Sequence, residues 1–265
     1  ADEPAGSVML HGQVILAGDE NTLNDETGTL EVTVFPQGVL EITIGEGIEN
    51  NTRTPLSFEH KNSLTEILYF ADELAGAEGM ITAITYYTNF TDDLMNKPTA
   101  LWIGETTQTN LTDGWIPSTS LTEVFNSTVS YFSASSSVQI QLTTPYYYNG
   151  GNLVVMAHRP MDAQNYGTTN YFLHDTTLEH MDRTRYERDD TLVFDPANPP
   201  EVSYSGEFFA NTTFTFYLGA MGEVEGYVYD DANNPLAEAQ ITIEETQTVT
   251  NTDNLGYYHF GNILE

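Results

Sequence analysis

Between Thr99 and Asp162 the chain alternates strand-like runs with turn signals, and this stretch limits the fold more than any other. The runs TALWIGETTQ, LTEVFNSTVSYF, SVQIQLTTPYYY and LVVMA are rich in β-branched and aromatic residues, and clusters such as Asn149-Gly150-Gly151 separate them. Val138, Ile140 and Leu142 alternate with Gln139 and Gln141, which puts the apolar side chains on one face of a strand. Leu153-Val154-Val155-Met156 does not alternate, so this run is expected to be covered on both faces, as in a central strand of an antiparallel sandwich.

The rest of the chain fits an all-β reading. Residues 1–38 hold two strand candidates, Val8–Ala17 and Thr29–Phe35; in the second, Leu30, Val32 and Val34 share a face opposite Glu31 and Thr33. Between them, Gly18–Gly28 is a polar loop whose carboxylates include Asp19 and Asp25. Dense carboxylate and amide oxygens suit calcium, and Asp230 and Asp231 offer a second acidic pair. The loop spacing fits no calcium motif, so a solvated acidic turn is the simpler reading, and no other cofactor is indicated.

A large domain is expected over 39–219 and a small module over 220–265. Leu64–Ala75 carries apolar residues near helical spacing, with Ser63 as an N-cap and Glu66 three residues on, so a short helix or a broken strand fits there. Thr91–Pro98 reads as a loop. Tyr166–Asp190 reads as a polar, aromatic insertion in which Arg183, Arg185 and Arg188 sit beside Asp182, Glu187, Asp189 and Asp190. That cluster is either a carboxylate- or sugar-binding site or, more simply, a loop held by its own salt bridges. Tail strands are expected at Glu223–Tyr229, Ala239–Glu244, Gln247–Asn251 and Gly256–Phe260.

Charge narrows the partners. The 265 residues include 39 acidic and 7 basic ones, for a formal charge of −32, so nucleic acid and anionic membrane surfaces would be repelled. No apolar run approaches the ~20 residues needed to span a bilayer, so no membrane insertion is expected. The absence of cysteine removes thiol catalysis and Cys-ligated metals. The start, Ala1-Asp2-Glu3-Pro4, reads as a mature terminus after signal removal, and a cut within a longer chain would look the same.

Catalytic motifs do not stand out. There is no G-x-S-x-G, HExxH, Walker loop or GxGxxG. His158, His174 and His180 could meet Asp162, Asp175 or Asp182 at a metal, but their spacing imposes nothing, and isolated structural histidines are the plainer reading. Paired carboxylates for an acidic hydrolase are available in so acidic a chain, yet nothing selects a pair. Trp102, Trp115 and Tyr147 could stack on sugar rings, and cross-strand packing explains them as well. Glycosylation sequons occur at Asn50, Asn89, Asn110, Asn126 and Asn211, and modified asparagines should lie on exposed turns or strand ends.

In the tail, Gly222, Val224, Gly226 and Val228 are followed by Asn234, Pro235, Leu236, Ala239, Ile241 and Ile243, then by Thr252, Asp253, Gly256, Tyr258 and Phe260. The pattern resembles the start of a carboxypeptidase regulatory-like domain, a small transthyretin- or Ig-like sandwich of secreted bacterial proteins, and it covers the last 44 residues. The resemblance implies a non-catalytic spacer or docking module. The phrases LWIGETTQTNLTDGWIP and GGNLVVMAHRPMD resemble a β-sandwich domain of multidomain secreted surface proteins in Gram-negative bacteria, which implies localisation and architecture only.

The expectation is an all-β, extracellular, structural protein: an antiparallel jelly-roll or Ig-like sandwich with a partial Ig-like module, not an enzyme. Family members continue beyond the Y-x-F strand with a further strand that this sequence does not reach, and Thr27–Gly38 imitates it. Leu30, Val32 and Val34 would then fill a core built from Val224, Val228, Ile241, Ile243, Tyr258 and Phe260. Between copies, that contact propagates head-to-tail into a filament; within one chain it would complete the module. A carbohydrate-binding adhesin is the alternative, and an acidic hydrolase a remote one.

Overall fold

The computed structural model describes residues 6–10, 30–34, 38–218, 221–230, 234–243 and 248–264. The chain divides into two compact units, one formed by Val39–Tyr217 and the other by residues 1–38 together with 218–265. It is all-β: every regular element of the described residues is a strand, apart from a single 3-10 turn at Ser118–Ser120.

Val39–Tyr217 is an antiparallel sandwich. Its first sheet contains β5 (Asn62–Tyr69), β7 (Leu94–Thr106), β8 (Thr122–Tyr131), β10 (Asn152–Arg159), β12 (Thr184–Asp189) and β13 (Tyr204–Gly206), in the order β13-β12-β5-β10-β7-β8. The second runs β14-β11-β6-β15-β3, from β14 (Phe208–Ala210), β11 (Tyr171–Thr176), β6 (Gly79–Asn89), β15 (Thr212–Tyr217) and β3 (Val39–Ile44). β4 (Glu49–Asn51) adds to β11, and β9 (Ser137–Tyr148) adds to β6. Thr143 Oγ1 donates to the Val124 carbonyl at 3.1 Å, linking β9 to β8.

Sequence pattern and position agree at the centre. β10 lies between β5 and β7 and is buried on both faces, as its unbroken apolar run requires. Leu153, Val155 and Ala157 join the core between the sheets, where they meet Ile67, Tyr69, Leu101, Ile81, Tyr86, Ile140, Phe172 and Phe214. Val154 and Met156 point the other way, into two smaller apolar clusters with Leu68 and Leu64. Ile140 and Leu142 of β9 face inward while Gln139 and Gln141 are exposed.

Two expectations are corrected and a third is decided. Of the short helix and the broken strand that fitted Leu64–Ala75, the strand forms: β5 ends at Tyr69, and all eight of its residues are buried. Covered on both sides, the strand carries apolar residues on both faces, Ile67 and Tyr69 on one and Leu64 and Leu68 on the other, and that mimics helical spacing. Residues 166–190 are not an insertion, because β11 and β12 are integral strands of opposite sheets. Leu94–Pro98 belongs to β7 across a register shift between Leu94 and Lys97, where Asn96 takes φ 52°.

In the other unit, β1 (Gly6–Leu10) and β2 (Leu30–Val34) form an antiparallel pair with Val8 opposite Val32. β16 (Met221–Tyr227) pairs with β19 (Tyr257–Leu264), and β17 (Gln240–Ile243) pairs with β18 (Thr248–Asn251). The last strand thus runs on beyond Phe260, where sequence had ended it. Within the described residues, these three pairs share no ladder with one another.

Candidate functional site

The tail motif has a physical basis in its turns. Thr252 is buried; its Oγ1 donates to the Leu236 carbonyl at 2.6 Å and accepts from the Ala239 amide at 2.9 Å. Asp253 Oδ1 accepts the Leu255 and Tyr257 amides at 2.7 and 3.0 Å, closing the turn that leads into β19. Gly256 holds φ +74°, and a Cβ there would overlap the Val228 carbonyl oxygen. These residues lock turns together, and they leave the apolar positions open. Val224 is 47% exposed, Val228, Ile241 and Tyr258 are half-buried, and only Phe260 is buried. The side chains of Ile243, Leu30, Val32 and Val34 lie outside the described ones. β2 pairs with β1 and with no tail strand among the described residues.

A polar cleft of about 350 Å³ opens on the sandwich. Asn50 and Asn51 come from β4, Thr52, Arg53 and Glu59 from the β4–β5 loop, Thr168 from the loop before β11, Tyr171 from the start of β11, and Arg188 from β12. Asn51 Oδ1 accepts the Arg53 amide at 2.8 Å and shapes the loop. Glu59 Oε2 accepts from Thr52 Oγ1 at 2.8 Å and from Arg188. Burial alone would raise the Glu59 pKa, but the Thr52 hydroxyl and the Arg188 guanidinium outweigh it and hold the carboxyl below its usual range. Arg53 is exposed and forms no ion pair among the described residues; its guanidinium lies 5.8 Å from the Phe208 ring centre.

The other arginines are structural. Arg183 is fully buried, grips both oxygens of Glu73 at 2.7 and 2.6 Å, and donates to the Leu68 carbonyl. Arg185 reaches the Leu111 and Thr112 carbonyls and Ser203 Oγ. The partners of Arg183, Arg185 and Arg188 are therefore remote in sequence, not the neighbouring acids that the sequence offered. Arg159, also buried, ties the Ser57, His60 and Gln164 carbonyls to Asp162.

The outer face of the first sheet holds a row that is buried at its centre and half-buried at its ends. Trp102, Met156, Glu66 and Arg185 are register partners across β7, β10, β5 and β12. Glu66 is fully buried, and burial pushes its carboxyl up to about 8 although the Ile116 amide and Arg185 favour the anion. Trp102 and Trp115 both pack on the Leu64–Met156–Phe194 cluster, and Trp115 Nε1 donates to the Pro200 carbonyl at 2.9 Å. Tyr147 lies on β9 of the other sheet, so the three rings form no common platform for a sugar.

The histidines do not converge either. His158 is buried on β10, and burial lowers its pKa to about 4. His174 is buried against the Phe172 carbonyl and Thr54 Oγ1, and burial lowers its pKa to about 4 as well. His180 stacks on Phe70, with ring centres 3.7 Å apart, and approaches Asp72 at 3.2 Å. No group of three His, Cys, Asp or Glu suited to a metal occurs among the described residues. Asp19, Asp25 and Asp231 lie outside them, and both carboxyl oxygens of Asp230 accept from Asn234.

Four sequon asparagines have accessible side chains: Asn50, Asn89 and Asn126 on strands, and Asn110 in a turn where its Oδ1 accepts the Thr112 amide at 3.1 Å. Asn211 is the exception to the expected exposure. It is 5% exposed, and its Nδ2 donates to the Gly47 carbonyl at 2.7 Å, so a glycan cannot be attached in the folded state.

A scan against protein-family models finds no match, and searches of curated proteins and of solved structures find no significant match. The likeness of the tail to a regulatory-like module therefore rests on its motif residues and on the turns they build. No helix among the described residues is long and apolar enough to cross a membrane.

Proposed function

We propose that the protein is an extracellular structural subunit, joined head-to-tail to further copies by β-strand complementation of a tail module of the carboxypeptidase regulatory-like kind, in a secreted bacterial surface protein. The half-exposed Val224 carries this reading. The motif assigns Val224 to a core, and it stands opposite Phe260 on β19, yet nearly half its surface meets solvent. Val249 and Leu236 are similarly uncovered, at 48% and 42%. Among the described residues the small module holds two separate strand pairs with exposed apolar surface, and an added strand would cover that surface while pairing with an edge.

β2 is the donor in this reading. Its alternating apolar pattern matches the missing strand, and among the described residues it pairs with β1 along one edge and with no strand along the other. Because donor and acceptor are different surfaces of one chain, the contact is heterologous and extends into a fibre unless it closes into a ring. Deleting residues 1–38 tests it: polymers should vanish from electron micrographs while the sandwich keeps its thermal unfolding transition. Filaments formed normally without those residues would refute strand donation.

A further inference from the structure

The cleft between β4, β11 and β12 stands apart from the assembly reading. Two arginines, Arg53 and Arg188, and one carboxylate, Glu59, line it, so the lining is net positive in a chain of formal charge −32. Two of the chain's seven basic residues meet here, while Arg159, Arg183 and Arg185 are spent on backbone carbonyls and internal partners.

Much of the lining is uncommitted. Asn50 uses Oδ1 to accept from Asn89, and Asn51 uses Oδ1 on the Arg53 amide; among the described residues neither Nδ2 group donates a hydrogen bond. Thr52 and Arg188 both bond Oε2 of Glu59, and among the described residues Oε1 takes no hydrogen bond. Among the described residues the Arg53 guanidinium forms no ion pair; it lies 5.8 Å from the Phe208 ring centre and acts on the His174 ring. Thr168 and Tyr171 add hydroxyls. Held donors, a held carboxylate acceptor and an unpaired guanidinium in one polar hollow match a ligand that is rich in hydroxyls and carries one anionic group.

We infer that this cleft binds a saccharide unit bearing a carboxylate, with Arg53 engaging the carboxylate and Asn50, Asn51 and Glu59 engaging ring hydroxyls. The cleft's volume suits one or two sugar rings rather than a long polymer. A guanidinium that pairs with carboxylate in a forked geometry discriminates against neutral sugars, and Glu59 discriminates against simple carboxylates that have no hydroxyls to donate.

The test is a titration of unglycosylated full chain with glucuronate, glucose and acetate in turn, followed by amide chemical shifts. Unglycosylated protein is used because Asn50 is itself a sequon on the rim. Glucuronate should saturate with a Kd on the order of 1 mM and should shift the amides of β4 and the β4–β5 loop. Glucose and acetate should each bind at least ~10-fold more weakly, and added salt should weaken glucuronate. Arg53→Ala should remove saturable binding without altering the rest of the spectrum, since Arg53 is exposed. Unsaturable glucuronate shifts, equal binding of glucose or acetate, or full binding by the Arg53→Ala chain would each overturn the assignment.

Discussion

The Ile116 amide lies 3.1 Å from both carboxyl oxygens of Glu66, pinning the segment between β7 and β8 onto a carboxyl group that is itself out of water. A buried carboxyl that keeps its proton makes the fold sensitive to alkali. Glu66 titrates near 8 in the folded chain and near the ordinary carboxylate value when unfolded. Below the unfolded value both states hold the proton, and the stability is fully present. As pH rises towards 8 the unfolded state alone releases it, and the fold loses about 1.4 kcal/mol per unit. Glu66→Gln should therefore be more stable than the parent at pH 8 and nearly equal to it at pH 4.5. Urea unfolding at the two pH values checks this; an unchanged difference between them would contradict it.

His158 and His174 act in the opposite direction. Burial lowers both to about 4, so each stays neutral in the fold while the unfolded chain takes up protons below its ordinary value near 6.5. Their contribution is complete above pH 6.5 and lost as pH falls towards 4. His158→Leu should flatten the acid limb of a plot of Tm against pH and leave the alkaline limb in place.

Arg183 and Glu73 form a forked pair that also holds the Leu68 carbonyl. Arg183→Met leaves Glu73, a largely covered carboxylate, and that carbonyl without their donor. The expected cost is about 3–5 kcal/mol, read as a lower urea midpoint with an unchanged slope. Arg53→Met, at an exposed position, should cost less than ~0.5 kcal/mol.

Much of the fold was legible before any coordinates. Leu153–Met156 announced a strand covered on both faces, and Val138, Ile140 and Leu142 announced one with a wet side. β5 was half legible: a broken strand and a short helix both fitted, because Ser63 and Glu66 imitate a helix start and nothing local shows that a glutamate will be buried under Ile116. β11 and β12 were hidden for a related reason: His174, Arg183, Arg185 and Arg188 look like surface residues until remote partners such as Glu59, Glu73 and Leu111 are in place. The cleft was hidden too. Its lining comes from β4, β11, β12 and the β4–β5 loop, and the one local hint was Arg53 standing apart from the acidic runs.

The tail offers its own test of the turn chemistry. Gly256→Ala places a methyl against the Val228 carbonyl at a positive φ, so the tail should lose its protection from protease by more than tenfold. The unfolding transition of the Val39–Tyr217 sandwich should not move.

The central claim is that copies join through β2, and the mass of the assembled species reads it most directly. Sedimentation of the parent chain and of Val32→Asp/Val34→Asp, with electron micrographs of the same samples, should show a concentration-dependent series of polymers for the parent. The double variant should be a monomer with an unchanged sandwich unfolding transition. A parent that stays monomeric at every concentration, or a variant that polymerises as the parent does, would contradict the account.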